Sequence, residues 1–199
     1  MSAQSARPMD LIDFDEARYR EDLDRKNKRF ALQLWRFANG SIFLFFAFAN
    51  YLMRATQGSW PPPGVTRLDA TLPAIFSVVL LFSALPARSV TAAIRREDRP
   101  AMQRYILVTV ALGLVFLIGL ILIWRQVPYS GSYSAIFFTM TGFHAVHVVV
   151  GMLLFGYILV KARRGAYSKE NHWSVEGTVI FWHFVVVMWV FYFVVLYVL

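Results

Sequence analysis

The chain has 199 residues, 58% of them hydrophobic and only 16% charged, with 18 phenylalanines and a formal net charge of +8. Soluble domains carry roughly 25% charged residues, so lipid is the expected solvent, and the length leaves room for one membrane domain and no sizeable soluble one. The sequence contains no cysteine, which excludes a disulfide framework, a thiolate metal site and a Cys-x-x-Cys-His attachment for covalent haem.

Residues 1–30 form a charged tail. Seven of the twelve acidic residues fall here. Glu16 with Arg20, Glu21 with Arg25, Asp22 with Lys26 and Asp24 with Lys28 stand at i,i+4 spacing, which predicts a solvated or surface-lying helix. The tail has no apolar run of the secretory type, so the first span is expected to act as its own uncleaved insertion signal.

Residues 31–199 form the membrane domain. Uncharged apolar runs predict helices over about 33–53, 70–94, 104–124, 133–160 and 175–198, each near the ~20 residues needed to cross a bilayer core. Trp60-Pro61-Pro62-Pro63-Gly64 is a rigid loop, since its prolines lack backbone donors and disfavour helix before them. Arg95-Arg96-Glu97-Asp98-Arg99-Pro100 and Arg163-Arg164-Gly165 break the later spans apart. With the amino terminus cytoplasmic and the carboxyl terminus outside, 17 of the 20 basic residues lie on the inner side, leaving Arg54, Arg67 and Arg125 outside, as the positive-inside rule requires. The basic excess is thus explained by insertion and anionic-lipid contact, and not by nucleic acid.

The spans hold few ionisable groups. Asp69, Glu97, Asp98 and Glu170 lie in loops and Glu176 stands at the inner start of the fifth span, so an autonomous pump or channel built on intramembrane carboxylates has no parts here. His144 and His147 share a face of the fourth span. His147 and His183 fall at similar depth on antiparallel helices, where they could meet and bridge them, satisfy other interhelical groups, or hold haem or a metal. Glu176 lies two turns below His183, near Lys169 and His172. Trp60, Trp124 and Trp173 read as interface anchors, whereas Trp182 and Trp189 read as lining a packed helix surface. Gly113, Gly119, Gly142, Gly151 and Gly156 suit close backbone approach among the last three helices.

Thr141-Gly142-Phe143-His144-Ala145-Val146-His147-Val148 resembles the fourth-helix motif of subunit III of haem–copper oxidases in its five-helix form. Trp182-His183-Phe184-Val185-Val186-Val187-Met188-Trp189 is similar to the family's last-helix motif, usually Trp-His-Phe-Val-Asp, two apolar residues and Trp. Gly113-Leu114-Val115-Phe116-Leu117 resembles its third helix, and Trp35-Arg36-Phe37 through Tyr51-Leu52-Met53-Arg54 its first.

The resemblance implies an all-α membrane protein of five transmembrane helices, with a two-helix and a three-helix bundle separated by a lipid-holding cleft. It implies a non-catalytic subunit of a proton-translocating bacterial cytochrome c oxidase in the plasma (inner) membrane, packed against subunit I beside subunit II and further subunits. Such a subunit supports oxygen access and proton uptake. Haem and copper would reside in the partners and only phospholipid in this chain. Structural and lipid-organising roles pass to His144, His147, Glu176, Trp182, His183 and Trp189. Arg36, Arg88 and Arg104 are headgroup candidates at a groove between the second and third helices. Family acids or amides are replaced by Ser41, Leu120, Ile123 and Val186, so roles tied to those groups do not transfer. A quinol oxidase subunit and a nitric-oxide-reductase accessory protein share these features; a haem-b anchor using His144 or His147 with His183 is the alternative of another class.

Overall fold

Each uncharged run becomes a helix, and the polar breaks supply the ends. In the computed structural model, which describes residues 8–61, 69–129, 131–169 and 171–199, the elements are α1 (Pro8–Ala55), α2 (Thr71–Arg95), α3 (Arg99–Trp124), α4 (Gly131–Arg163) and α5 (Trp173–Phe193). A π-helical turn, Val194–Val198, continues α5. All five helices are long and apolar enough to cross a membrane. Arg7, Pro62, Pro63, Gly64, Arg67 and Glu170, which entered the sequence reading, lie outside the described residues.

Local chemistry explains the boundaries. Asp69 Oδ1 accepts the Thr71 N–H at 3.0 Å and its hydroxyl at 2.8 Å just ahead of α2. The Thr71 backbone bond, then its hydroxyl, holds the Asp69 carboxyl below the usual carboxylate range. Asp98 caps α3 by accepting the Ala101 N–H at 2.9 Å, and Pro100 stands in the first turn, where a missing donor costs little. This cap lets α3 start at Arg99, ahead of the expected 104. The α2–α3 turn places Glu97 at φ 57, a backbone region that glycine adopts without strain and a carboxylate side chain rarely does.

The chain divides into two compact units, Met1–Ser41 and Ile42–Leu199. In the first, α1 runs through residue 30 without a break. Glu16–Arg20 and Asp24–Lys28 pair as expected, but Asp22 pairs with Arg25 and not with Lys26, because an i,i+3 neighbour is equally reachable on a helix. Arg36 is exposed.

In the second unit the helices are arranged differently from the expected two-plus-three bundles. α2 packs most extensively on α3 and next on α5, while α4 packs on both α3 and α5. No cleft separates α2 from α3, because Gly119 of α3 lets the Phe76 ring of α2 lie where a side chain would otherwise stand: an added Cβ would be 2.2 Å from Phe76 Cγ. The groove expected to hold lipid there is filled by protein, and Arg88 and Arg104 stand exposed on the outer surface. The Ile42–Ala55 part of α1 attaches by side chains more than by close backbone approach. Its Phe43, fully buried, is the centre of an aromatic cluster with Phe143, Phe184 and Tyr192 at ring distances of 4.9, 5.8 and 5.1 Å.

Candidate functional site

The fourth-helix histidine motif faces the interior, and aromatic rings determine its surroundings. His144 is fully buried, with Trp189 at 4.8 Å and Phe116 edge-on at 5.6 Å. Neither ring nitrogen of His144 has a hydrogen-bond partner. Buried polar atoms left unpaired are destabilising, whereas an apolar replacement of similar shape leaves nothing to satisfy. His144→Phe is therefore expected to leave thermal stability unchanged or raised. A loss above about 1 kcal/mol in the melting of the purified protein would show instead that the imidazole has a bonded partner.

His147 and His183 each place a ring nitrogen against a carbonyl of their own helix. His147 Nδ1 lies 2.8 Å from the Phe143 carbonyl and His183 Nδ1 lies 2.7 Å from the Val179 carbonyl, each four residues back on its own helix. The carbonyl one turn back already accepts a backbone N–H, but its second lone pair competes with any partner across the seam. Since a carbonyl only accepts, His183 Nδ1 carries a proton and donates to Val179, leaving Nε2 as the second ring nitrogen to be satisfied. The His183 side chain is half-buried, ten residues along α5 from Trp173, or about 15 Å. The neighbouring Val187 and Val190 are exposed, so this face of α5 is open.

Interhelical hydrogen bonds come from the tryptophans. Trp182 Nε1 donates to Ser83 Oγ at 2.9 Å and Trp189 Nε1 to Ser77 Oγ at 2.7 Å. Both tryptophans are buried as expected. Two turns apart on α5, they meet two serines of antiparallel α2 in reverse order. Trp182 also fills the space over Gly113 of α3 and Gly151 of α4, where an added Cβ would come within 2.8 and 2.7 Å of its ring. Gly142 and Gly156, expected to play the same part, have open space around them. Trp124, half-buried at the end of α3, donates to Thr141 Oγ at 3.0 Å.

Glu176 joins helices at one end of the bundle. Its Oε1 accepts from Arg95 at 2.7 Å and lies 3.2 Å from His172 Nε2. His172 was anticipated and Lys169 was not needed; Arg95, on α2, was missed because its distance in sequence conceals it. At the positions of the absent family acids and amides, Val186, Leu120 and Ile123 are buried in apolar packing. Ser41 bonds the Phe37 carbonyl at 2.9 Å.

These features define a multi-pass helical membrane protein whose described residues bring no three His, Cys, Asp or Glu side chains together for a metal ion. The family model described as Cytochrome c oxidase subunit III matches residues 27–199. A Cytochrome c oxidase subunit 3 of Synechocystis sp. is 32% identical over 176 residues, covering 86% of this chain and 76% of that protein. One from Thermostichus vulcanus is 34% identical, covering 76% and 78%, and one from Cyprinus carpio is 30% identical, covering 87% and 70%. The chain belongs to the cytochrome c oxidase subunit III family. Its partners are therefore other subunits of a respiratory oxidase.

Proposed function

We propose that this chain is a non-catalytic subunit III of a bacterial cytochrome c oxidase, packed against the haem-bearing subunit I in the plasma (inner) membrane with its amino terminus cytoplasmic. The observation that carries the reading is the family match over residues 27–199, which includes all five spans. The sequence bias of basic residues supports the orientation: Arg95, Arg96, Arg99, Arg163 and Arg164 gather at the end where Arg95 meets Glu176, while Arg54 bonds the Leu199 carbonyl at the other.

His183 supports packing against another protein. Acyl chains supply no polar partner for the second ring nitrogen of this half-buried imidazole, whereas a neighbouring helix can. Trp182, Trp189, Glu176 and the His147 ring hold the bundle that presents this face, and His144 packs within it. Haem and copper belong to the partner subunits, and the complex translocates protons with this chain supporting oxygen access and proton uptake. Phospholipid contacts the exposed Arg36, Arg88 and Arg104, each cation near the surface contributing about 1 kcal/mol.

The test is purification from native membranes in mild detergent, followed by substitution. The chain should co-purify with a large haem-bearing subunit. His183→Leu should reduce that association, while haem per recovered complex and initial oxygen uptake stay near wild type in His144→Leu, His147→Leu and His183→Leu. Loss of one haem equivalent in any of the three, measured as pyridine haemochrome, would overturn the non-catalytic reading in favour of an axial imidazole.

A further inference from the structure

The end of the bundle that carries Arg95 and Glu176 contains a cavity of about 320 Å³ lined by Ile94, Glu97, Arg99, Tyr167 and Ser168. It lies between the α2–α3 turn and the α4–α5 loop, and its volume is at the lower end of the ~300–1,000 Å³ range of small-molecule pockets. Tyr167 is only 8% exposed, and its hydroxyl is buried with no hydrogen-bond partner. Native proteins rarely leave such a group unpaired without a reason.

The other walls are placed to complement it. Gly165, at φ +73, turns the α4–α5 loop so that the Arg99 guanidinium lies across it; an added Cβ would be 3.3 Å from Arg99 Nη1. Arg99 has no ion pair among the described residues, although Glu97 lines the same cavity. Glu97 occupies the positive-φ turn position where glycine would be free of strain. A strained residue that brings a carboxylate to a cavity is an outlier of the kind found at binding sites. Ile94, almost wholly buried, supplies an apolar wall.

We propose that this cavity binds a zwitterionic phosphate–ammonium group of the phosphoethanolamine type. The Arg99 guanidinium and the Tyr167 hydroxyl donate to the phosphate oxygens, and the Glu97 carboxylate accepts from the ammonium. Burial pushes the Tyr167 phenol up from its ordinary value, which keeps it a donor. A quaternary choline has no N–H for Glu97, so the site discriminates against it. This inference does not depend on the role proposed for His183, and its failure would leave the association with a haem-bearing subunit untouched.

The experiment uses the detergent-purified oxidase complex containing the full chain. The complex is reconstituted in phosphatidylcholine nanodiscs doped with phosphatidylethanolamine, and retained lipid is counted by native mass spectrometry. Arg99→Gln and Tyr167→Phe are each expected to weaken phosphatidylethanolamine retention roughly tenfold, the loss of one charge-assisted bond. Glu97→Gln should narrow its preference over phosphatidylcholine, and Arg125→Gln, at the opposite end, should change neither. Competition by soluble O-phosphoethanolamine identifies the source: displacement assigns the site to free phosphate esters as well, and its absence assigns it to the lipid headgroup. Tyr167→Phe keeps the test decisive if Arg99→Gln does not fold, since it removes only an unpaired hydroxyl. Unchanged retention in Tyr167→Phe, or higher melting temperature without lipid loss, would overturn the site.

Discussion

Trp182→Ala is expected to lower the stability of the helix bundle by about 3–5 kcal/mol. The indole touches Gly113 on α3 and Gly151 on α4 and donates to Ser83 on α2, so truncation opens a void among four helices at once. Surrounding lipid is as apolar as the interior, so the loss comes from dispersion contacts and the cavity and not from transfer to water. Trp182→Phe should be milder. It retains most of the ring volume, and Ser83 still bonds the Leu80 carbonyl at 2.5 Å. The indole–serine bond itself, isolated by a double-mutant cycle with Ser83→Ala, should be near 0.6 kcal/mol and below about 1.7. Stepwise denaturation in mixed micelles, followed by helicity and tryptophan fluorescence, measures both. A loss under 1 kcal/mol for Trp182→Ala would mean that the helices collapse over the gap.

Gly119→Ala is expected to destabilise by about 1–3 kcal/mol, although alanine is ordinarily the better helix residue. The new methyl group would stand 2.2–2.4 Å from the Phe76 ring at its Cγ and both Cδ atoms. These atoms are near the base of the side chain, so α2 and α3 must separate. Phe76→Leu should recover part of the loss in the double mutant, a coupling of about 0.5–3 kcal/mol. Gly142→Ala provides the control. With nothing within 4 Å of its added Cβ, it should be neutral or stabilising by up to about 1 kcal/mol. Equal effects at the two glycines would show that helix propensity, and not contact with Phe76, decides both.

The spans were legible because hydropathy reports length and depth, and the breaks at Arg95–Pro100 and Arg163–Gly165 coincide with real helix ends. The faces were not. A helix in lipid is apolar all round, so the periodicity that reveals the buried side of a soluble helix is missing. The partner of α2 was marked only by Ser77 and Ser83, whose hydroxyls pass for ordinary bonds to Pro73 and Leu80 one turn back until Trp189 and Trp182 are placed against them. The surroundings of His147 and His183 were equally hidden: equal depth permits contact across the seam, while each Nδ1 lies beside the carbonyl four residues back on its own helix. His144 and the two buried tryptophans were found from sequence because polar rings inside apolar runs are conspicuous. Tyr167 drew no notice and Arg99 entered only as part of a helix break, since a tyrosine and an arginine in basic loops are unremarkable until one hydroxyl proves to be buried.

The attachment of Phe43 through rings on α4 and α5 has a consequence for biosynthesis. Phe43 leaves the ribosome early, but Tyr192, whose hydroxyl donates to its carbonyl, follows 149 residues later. At about 5–20 residues per second the delay is roughly 7–30 s. During that interval α2 and α3 can already dock, while the α1 segment that carries Phe43 still waits for its binding surface to be translated. The nascent chain therefore passes through a stage in which Phe43 faces lipid or an insertion factor, and this part of α1 completes its packing only once α5 has been made.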